Sequence, residues 1–180
     1  MVVNTSGDGG YAGVRCASPV SMRRALSEFS DWGDARLNVV SDRSPLEVFA
    51  ECRELAHEIW GSAGYPCQIV VDEAQRVLPD SEAQSGPTSG NPVREALHED
   101  RDRGVKVVLA TQDPTDLYYP PIKQCRHLVM FAPSSFHTGF LRYYDIESLE
   151  YPTEAYHYAV VRPSLPPEVV YRGVTDPRYG

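Results

Sequence analysis

Short apolar segments alternate with amphipathic segments along the chain, and this alternation constrains the fold more than any other feature of the sequence. Between the apolar runs, apolar residues recur at helical spacing, which indicates strands interleaved with helices. Strands that are apolar on both faces are typical of a mostly parallel sheet flanked by helices. The predicted strands are 2–3, 37–41, 68–71, 105–110, 127–131, 158–161 and 169–171, and the last two could form an edge hairpin.

Two of the predicted helices begin with the same signal, a capping residue followed by proline. Ser44-Pro45 and Asn91-Pro92 each fit an N-cap with proline at the first helical position. Gly104 predicts the end of the second of these helices. The predicted helices cover 21–29, Pro45 through Trp60, Pro92 to Gly104, and 136–144, and turn or loop residues are concentrated at 6–10 and 81–91.

The chain has 180 residues and a net charge of −8. Its length suits one domain with a core of its own. The acidic charge argues against a protein that coats nucleic acid by itself, but not against a ring that touches DNA through a few pore residues. Lysine is scarce among the 17 basic residues, which favours a salt-loving host, although a GC-rich genome would also favour arginine.

Several classes of protein are disfavoured by what the sequence lacks. No apolar stretch is long enough for a transmembrane helix, and the first residues have no basic or long apolar segment of the kind that a secretory signal needs. We therefore expect a protein without a transmembrane segment that is not secreted. The four cysteines and five histidines are too scattered for a zinc site or a disulfide framework, so we expect buried thiols.

The sharpest chemical signal is the pair Asp72-Glu73, which directly follows the apolar run 68–71. Ligands of parallel sheets bind beyond the carboxyl ends of the strands, so this pair lies where chemistry is expected. Asp72 could hold Mg²⁺ through water, because Mg²⁺ prefers oxygen ligands. Glu73 could align and deprotonate an attacking water. The alternative is an ordinary acidic loop after a buried strand.

Polar and basic residues flank the next predicted strand, 105–110. Thr111 and Gln112 follow it, and the amide of Gln112 could sense a γ-phosphate or orient water opposite Glu73. Arg101 and Arg103 precede it, and either could reach the nucleotide of a neighbouring subunit as an arginine finger does. The alternative for the two arginines is a solvated helix end, where basic side chains are favoured.

These residues together resemble the HerA/FtsK superfamily of P-loop motors. The match consists of Gln68-Ile-Val-Val-Asp-Glu-Ala-Gln75 as the Walker B strand and Arg101-Asp-Arg-Gly-Val-Lys-Val-Val-Leu-Ala-Thr-Gln-Asp-Pro-Thr-Asp-Leu117 as the arginine, sensor strand and loop. The segment from Val2 to Val14, followed by Ser18-Pro19 and Arg23-Arg-Ala-Leu26, resembles the second core strand and the helix that follow the Walker A helix in that family. The resemblance covers residues 1–135, the core of a single predicted domain, and residues 136–180 are less specific.

The resemblance implies a RecA-like P-loop fold and ATP hydrolysis that moves double-stranded DNA through a ring, often a hexamer. ATP and Mg are the implied cofactors. Asp72 and Thr111 would bind the metal–nucleotide complex, Glu73 and Gln112 would act on the attacking water, and Arg101 or Arg103 would act in trans. Small members of this superfamily package viral genomes, which implies capsid or membrane proteins as further partners and a cytoplasmic or virion-associated location.

The sequence departs from the family at one essential motif. A P-loop ATPase needs G-x-x-x-x-G-K-[ST] to hold the phosphates, and no such string occurs. The glycine-rich segment 6–13 has no Gly-Lys pair and reads as a turn. We expect either that the Walker A segment lies upstream of this chain, so that the sheet is incomplete at its N-terminus, or that the chain is a non-catalytic, degenerate subunit. A P-loop enzyme of another clade, such as a plasmid-transfer ATPase, is a third alternative.

Overall fold

The computed structural model describes residues 1–3, 12–31, 35–78, 90–112, 117, 125–131, 142, 149, 152–154, 156–163 and 166–175. The chain divides into two compact units. Unit 1 comprises Met1–Gln112 and Asp116–Tyr118, and unit 2 comprises Asp113–Thr115 and Tyr119–Gly180. The sequence-based assignment of a single domain with a core ending at residue 135 stays a prediction.

Unit 1 contains a five-stranded sheet in the order β2-β3-β1-β4-β5. Every pairing in this sheet is parallel, which confirms the sheet type predicted from the apolar runs. β4 lies between β1 and β5, and all five of its residues are paired in register with β5. The strands are β1 (Val2–Val3), β2 (Val14–Cys16), β3 (Leu37–Val39), β4 (Cys67–Val71) and β5 (Val105–Leu109).

Three α-helices connect the described strands of unit 1, and proline begins each of them. Helix α1 follows a capping box in which Ser18 accepts from the backbone N–H of Ser21, and the Ser21 hydroxyl accepts from the backbone N–H of Ser18. Asn91 caps α3 by accepting from the backbone N–H groups of Val93 and Arg94. The helices are α1 (Pro19–Ser27), α2 (Pro45–Ala63) and α3 (Pro92–Glu99).

The core of unit 1 lies between α2 and the sheet. Helix α2 contacts β1, β4 and β5 as well as its neighbours α1 and α3. It contributes Phe49 and Cys52, both fully buried, and the sheet contributes Ile69 and Val71, also fully buried. Burying a side chain as large as Phe49 stabilises the fold by about 1.5–3 kcal/mol. The opposite face of the sheet is more open, since Val108 is 42% exposed.

Unit 2 contains a three-stranded antiparallel sheet in the order β6-β7-β8. Ala159 and Val161 of the central strand are fully buried. The ring of Tyr158 packs between Phe131 and Tyr171 on the two neighbouring strands, with centroid distances of 5.9 and 6.0 Å. The strands are β6 (Leu128–Phe131), β7 (His157–Arg162) and β8 (Glu168–Val174).

Ser44 is the N-cap of α2 and Pro45 is its first residue, as predicted, although the Ser44 side chain makes no capping hydrogen bond. Other local features differ from the predictions. The helix predicted to run from Pro92 to Gly104 changes to a 3-10 turn at Asp100–Arg103. The predicted hairpin has a third strand, β6, at its side, and β2 was not predicted. The turn 6–10, the predicted helix 136–144 apart from Arg142, and nearly all of the loop 81–91 lie outside the described residues.

A buried ionic cluster joins α2 to the end of α3. Asp100 is fully buried, and its carboxylate accepts hydrogen bonds from Nε of Arg53 and, at 3.0 Å, from Nη2 of Arg53. Nη1 of Arg53 donates to Glu95. The hydrogen bonds to Asp100 raise the pKa of Arg53, so this guanidinium stays charged. Nε2 of His57 lies 3.1 Å from Oδ2 of Asp100 without forming a hydrogen bond among the described residues.

We expect Arg53→Ala to destabilise unit 1 by about 3 kcal/mol, because it leaves the buried carboxylate of Asp100 without its main partner. Denaturant unfolding followed by circular dichroism measures the change. Arg23→Ala is the matched control, since it also removes an arginine–glutamate pair that joins α2 to a neighbouring helix, but one that is about half exposed on both sides. Equal stability losses in the two variants would contradict the role assigned to the cluster.

Candidate active site

The acidic pair and the sensor residues leave the sheet side by side. β4 and β5 are parallel and in register up to Val71 and Leu109, so Asp72-Glu73 and the segment that follows Leu109 emerge at the same carboxyl edge. Backbone bonds continue this alignment beyond the strands, since Ala110 N–H donates to Val71 at 2.9 Å and Ala74 N–H donates to Ala110 at 2.8 Å. The juxtaposition expected from the two strand ends is therefore present.

Glu73 adopts a backbone conformation that is unusual for a residue with a side chain. Its φ of 52° and ψ of 60° are left-handed, which costs a non-glycine residue about 1–2 kcal/mol. The corner is held by the bond from Glu73 N–H to Oδ1 of Asp72 and by the 3-10 turn Ala74–Arg76. Strained residues of this kind cluster at functional sites, where surrounding contacts hold them in place.

A side-chain bond links the acidic corner to the sensor segment. The hydroxyl of Thr111 donates to Oε1 of Gln75 at 3.1 Å. Gln112 is exposed next to this bond, at the edge from which a ligand would approach. This bond, together with the backbone bonds between the two segments, holds Thr111 beside the corner that carries Asp72 and Glu73.

The two candidate arginines lie at the other end of β5. Arg101 and Arg103 belong to the 3-10 turn that precedes β5, at the amino edge of the sheet. Five strand residues span roughly 16 Å, so the two arginines are far from the acidic pair of their own chain. Nη1 of Arg103 lies 3.9 Å from Asp100, whereas Arg101 is exposed and has no ion pair among the described residues.

One stripe of α2 holds this arginine-bearing turn in place. Arg53 and His57 contact Asp100 at its start, and the Trp60 ring covers Gly104 at its end. Gly104 has a φ of 71°, and a Cβ there would clash with the Trp60 ring. Glycine is therefore required at this position both by the backbone conformation and by the packing.

The oxygen-bearing side chains at the carboxyl edge suit Mg²⁺ bound together with a nucleotide. Mg²⁺ in such sites uses one or two carboxylates and completes its shell with water and phosphate oxygens, and Asp72 supplies a carboxylate at this edge. Over the residues that the structure describes, no cluster of three or more metal-ligating side chains occurs. Burial raises the pKa of Cys52 to about 12, so this thiol stays protonated and is a poor nucleophile.

No protein-family model matches the chain, and no curated protein matches it. Several solved structures do match the chain. The genome packaging NTPase B204 from Sulfolobus turreted icosahedral virus 2, in complex with AMPPCP, superposes with a TM-score of 0.64 at 16% identity over 98% of this chain and 80% of that chain. The same protein with ATP-gammaS gives 0.63 at 17% identity over 92% and 74% of the two chains. The chain has the fold of this packaging NTPase.

The DNA-packaging ATPase B204 from Sulfolobus turreted icosahedral virus shares the packaging-NTPase fold too, with a TM-score of 0.56 at 18% identity over 91% of this chain and 81% of that chain. These likenesses show the fold alone, and they confirm the mostly parallel sheet flanked by helices that the sequence predicted. No described helix has the length and apolarity needed to cross a bilayer.

Three features were missed from the sequence, and two of them belong to the site. Arg76, whose Nε lies 2.7 Å from Oε2 of Glu73, could have been found from its spacing of three residues after the acid in a helical turn. The contact between Gln75 and Thr111 could not, because it joins residues 36 positions apart. Asp100 gave no signal of burial, since its neighbours in sequence are charged and exposed.

The left-handed backbone at Glu73 makes a prediction that is independent of activity. Glu73→Gly and Glu73→Ala both remove the carboxylate, but only glycine relieves the strain, so we expect the glycine variant to be more stable by roughly 0.5–1 kcal/mol. Chemical denaturation measures the difference. At Glu54, an exposed position inside α2, the order should reverse, with alanine more stable than glycine by about 1 kcal/mol. The same order at both positions would contradict the strained conformation.

Proposed function

We propose that this chain is a subunit of an ATP-driven motor that moves double-stranded DNA, as in the packaging of a viral genome. One observation carries the proposal: the register of β4 and β5 sets the acidic pair 72–73 beside the sensor segment 111–112 at the carboxyl edge of a packaging-NTPase fold. The similar proteins are genome packaging NTPases that bind ATP analogues, which supports the same class of ligand here. Such a motor would work in the cytoplasm or on the virion.

In this proposal the roles follow from charge and position. Asp72 would hold Mg²⁺ through water, and Thr111 would lie against the metal–nucleotide complex. The metal would neutralise charge on the phosphates when bound. Glu73 would take the proton of the attacking water, because a carboxylate is the base available at this edge. Gln112 would orient that water and respond to the γ-phosphate through its amide.

The position of the arginines favours a ring of identical subunits, of which a hexamer is the expected size. Because Arg101 lies at the amino edge of its own sheet, it could act only on a nucleotide held by a neighbouring chain. Such an arginine stabilises charge in the transition state. Between the two candidates we favour Arg101, since Arg103 contacts Asp100 and is in part neutralised. Double-stranded DNA in the pore would be the cargo, and capsid or membrane proteins would be docking partners.

A second function, a non-catalytic assembly subunit, is favoured by one observation: the printed sequence contains no G-x-x-x-x-G-K-[ST] string. The two functions differ in a direct assay of the 180-residue chain and of the chain extended by the coding sequence upstream of Met1. ATP hydrolysis by either form supports the motor. Absence of hydrolysis from both, together with stable binding to an intact ATPase, would support the assembly subunit instead.

Replacing the proposed base tests the chemistry. We expect Glu73→Gln to lower ATP turnover by at least about 100-fold while nucleotide binding is retained, because the amide fills the same space but cannot accept the proton. Phosphate release measures turnover, and a fluorescent ATP analogue measures binding. Glu58→Gln, an exposed glutamate paired with Arg23, is the matched control and should leave both unchanged. Full turnover in Glu73→Gln would count decisively against the assignment.

If Arg101 acts on the nucleotide of a neighbouring subunit, then mixing two inactive variants of the protein should restore some activity. Arg101→Ala and Glu73→Gln should each abolish hydrolysis alone, since an arginine finger contributes about 10³–10⁵-fold. When the two variants are mixed, some interfaces pair the intact Glu73 of one chain with the intact Arg101 of the other. Hydrolysis should partly return at those interfaces.

The control for the mixture is a chain that carries both substitutions, which should add no activity to either single variant. Arg103→Ala should keep more activity than Arg101→Ala. The mixture of Arg101→Ala with Glu73→Gln could stay inactive while the mixture of Arg103→Ala with Glu73→Gln recovers hydrolysis. That result would reassign the trans role to Arg103.

A further inference from the structure

The 3-10 turn that carries Arg101 is anchored at both of its ends. At its start, the side chain of Asp100 is fully buried against Arg53. At its end, the N–H of Gly104 donates to the carbonyl of Asp100, and the carbonyl of Gly104 accepts from the N–H of Cys67 at 2.8 Å. Because a 3-10 turn has poor hydrogen-bond geometry of its own, these anchors determine where the turn lies.

Arg53 fixes the direction of the Asp100 carboxylate as well as its distance. Nε of Arg53 donates to Oδ2 and Nη2 donates to Oδ1 at 3.0 Å, so one planar guanidinium holds both carboxylate oxygens. A two-point contact of this kind is geometrically specific, unlike the contact of a single ammonium group. The Arg53 side chain is only 14% exposed, so little solvent competes for these bonds.

An ion pair is not the simplest means of holding α2 against α3. Burial removes both charges from water, and apolar residues of similar volume often stabilise a fold equally well or better. The two helices already bury apolar side chains in unit 1, among them Leu55 of α2 and Val93 of α3. What the ion pair adds to this packing is a fixed direction, which is useful where a neighbouring group must be placed accurately.

We propose that Arg53 is a positioning residue for Arg101 and acts on it through Asp100. Arg101 directly follows Asp100 in the same turn, so a fixed Asp100 also fixes the backbone from which the Arg101 side chain extends. A displacement of about 1 Å at a reacting group can lower a rate by about 10²-fold, so such a brace would affect turnover. This inference rests on the proposed function, because it concerns the arginine that acts in trans.

The test uses Arg53→Lys, which keeps the buried charge but loses the two-point contact. We expect kcat for ATP to fall by about 10- to 100-fold, while the Kd for a fluorescent ATP analogue is unchanged, because the nucleotide site of the same chain lies at the opposite edge. Asp100→Asn keeps the shape of the side chain and should give the same result. Arg23→Lys is the control, since the pair of Arg23 with Glu58 is about half exposed, and it should leave kcat unchanged.

Mixing variants separates a misplaced arginine from a general loss of stability. Arg53→Lys mixed with Glu73→Gln, which keeps a well-placed Arg101, should hydrolyse ATP faster than Arg53→Lys alone. The mixture of Arg53→Lys with Arg101→Ala should not, because neither chain then supplies a well-placed arginine. A variant that is merely destabilised would recover with neither partner.

Three results would overturn the inference: a wild-type kcat in Arg53→Lys, recovery with neither partner, or recovery with Arg101→Ala. Failure of the proposed function looks different from all three. The wild-type protein would then hydrolyse no ATP, or Glu73→Gln and Arg101→Ala would both hydrolyse it at the wild-type rate.

Discussion

The parallel pairing of β4 with both of its neighbours is the interaction on which the rest of the structure depends. Its backbone groups bond to β1 on one side and to β5 on the other, and Asp72 N–H still donates to Val3 just beyond the strand. Because this ladder is in register to its end, the residues after β4 and β5 are fixed side by side. A slip by one residue would turn every side chain of the strand to the other face.

Much of unit 1 could be predicted from sequence because its strands are buried and its helices begin with strong local signals. Pro92 after Asn91 gave the start of α3 to the residue, and the apolar run before Asp72 gave β4. β2 was missed because only Cys16 of its three residues is buried, so it has no apolar run. The end of α3 was missed because Asp100 is held by Arg53, a tertiary contact that no local pattern encodes.

The candidate site, too, could be predicted from the sequence only in part. Asp72, Glu73 and Gln112 could be placed at one edge from the rule that ligands bind beyond the carboxyl ends of parallel strands. The left-handed conformation of Glu73 and its contact with Arg76 depend on how the chain turns after β4, which propensity does not specify. The arginines precede β5 in the sequence and so could be placed at the opposite edge, but the contact between Arg103 and Asp100 is visible only in the structure.

The central claim is that the carboxyl edge of β4 and β5 binds a metal–nucleotide complex. A crystal structure of the protein with Mn²⁺ in place of Mg²⁺ and a non-hydrolysable ATP analogue tests it most directly, since the anomalous signal of Mn²⁺ locates the metal without ambiguity. The account predicts the metal beside Asp72, with the terminal phosphate between Glu73 and Gln112. A nucleotide bound at the amino edge near the arginines of the same chain, or a metal distant from Asp72, would contradict it.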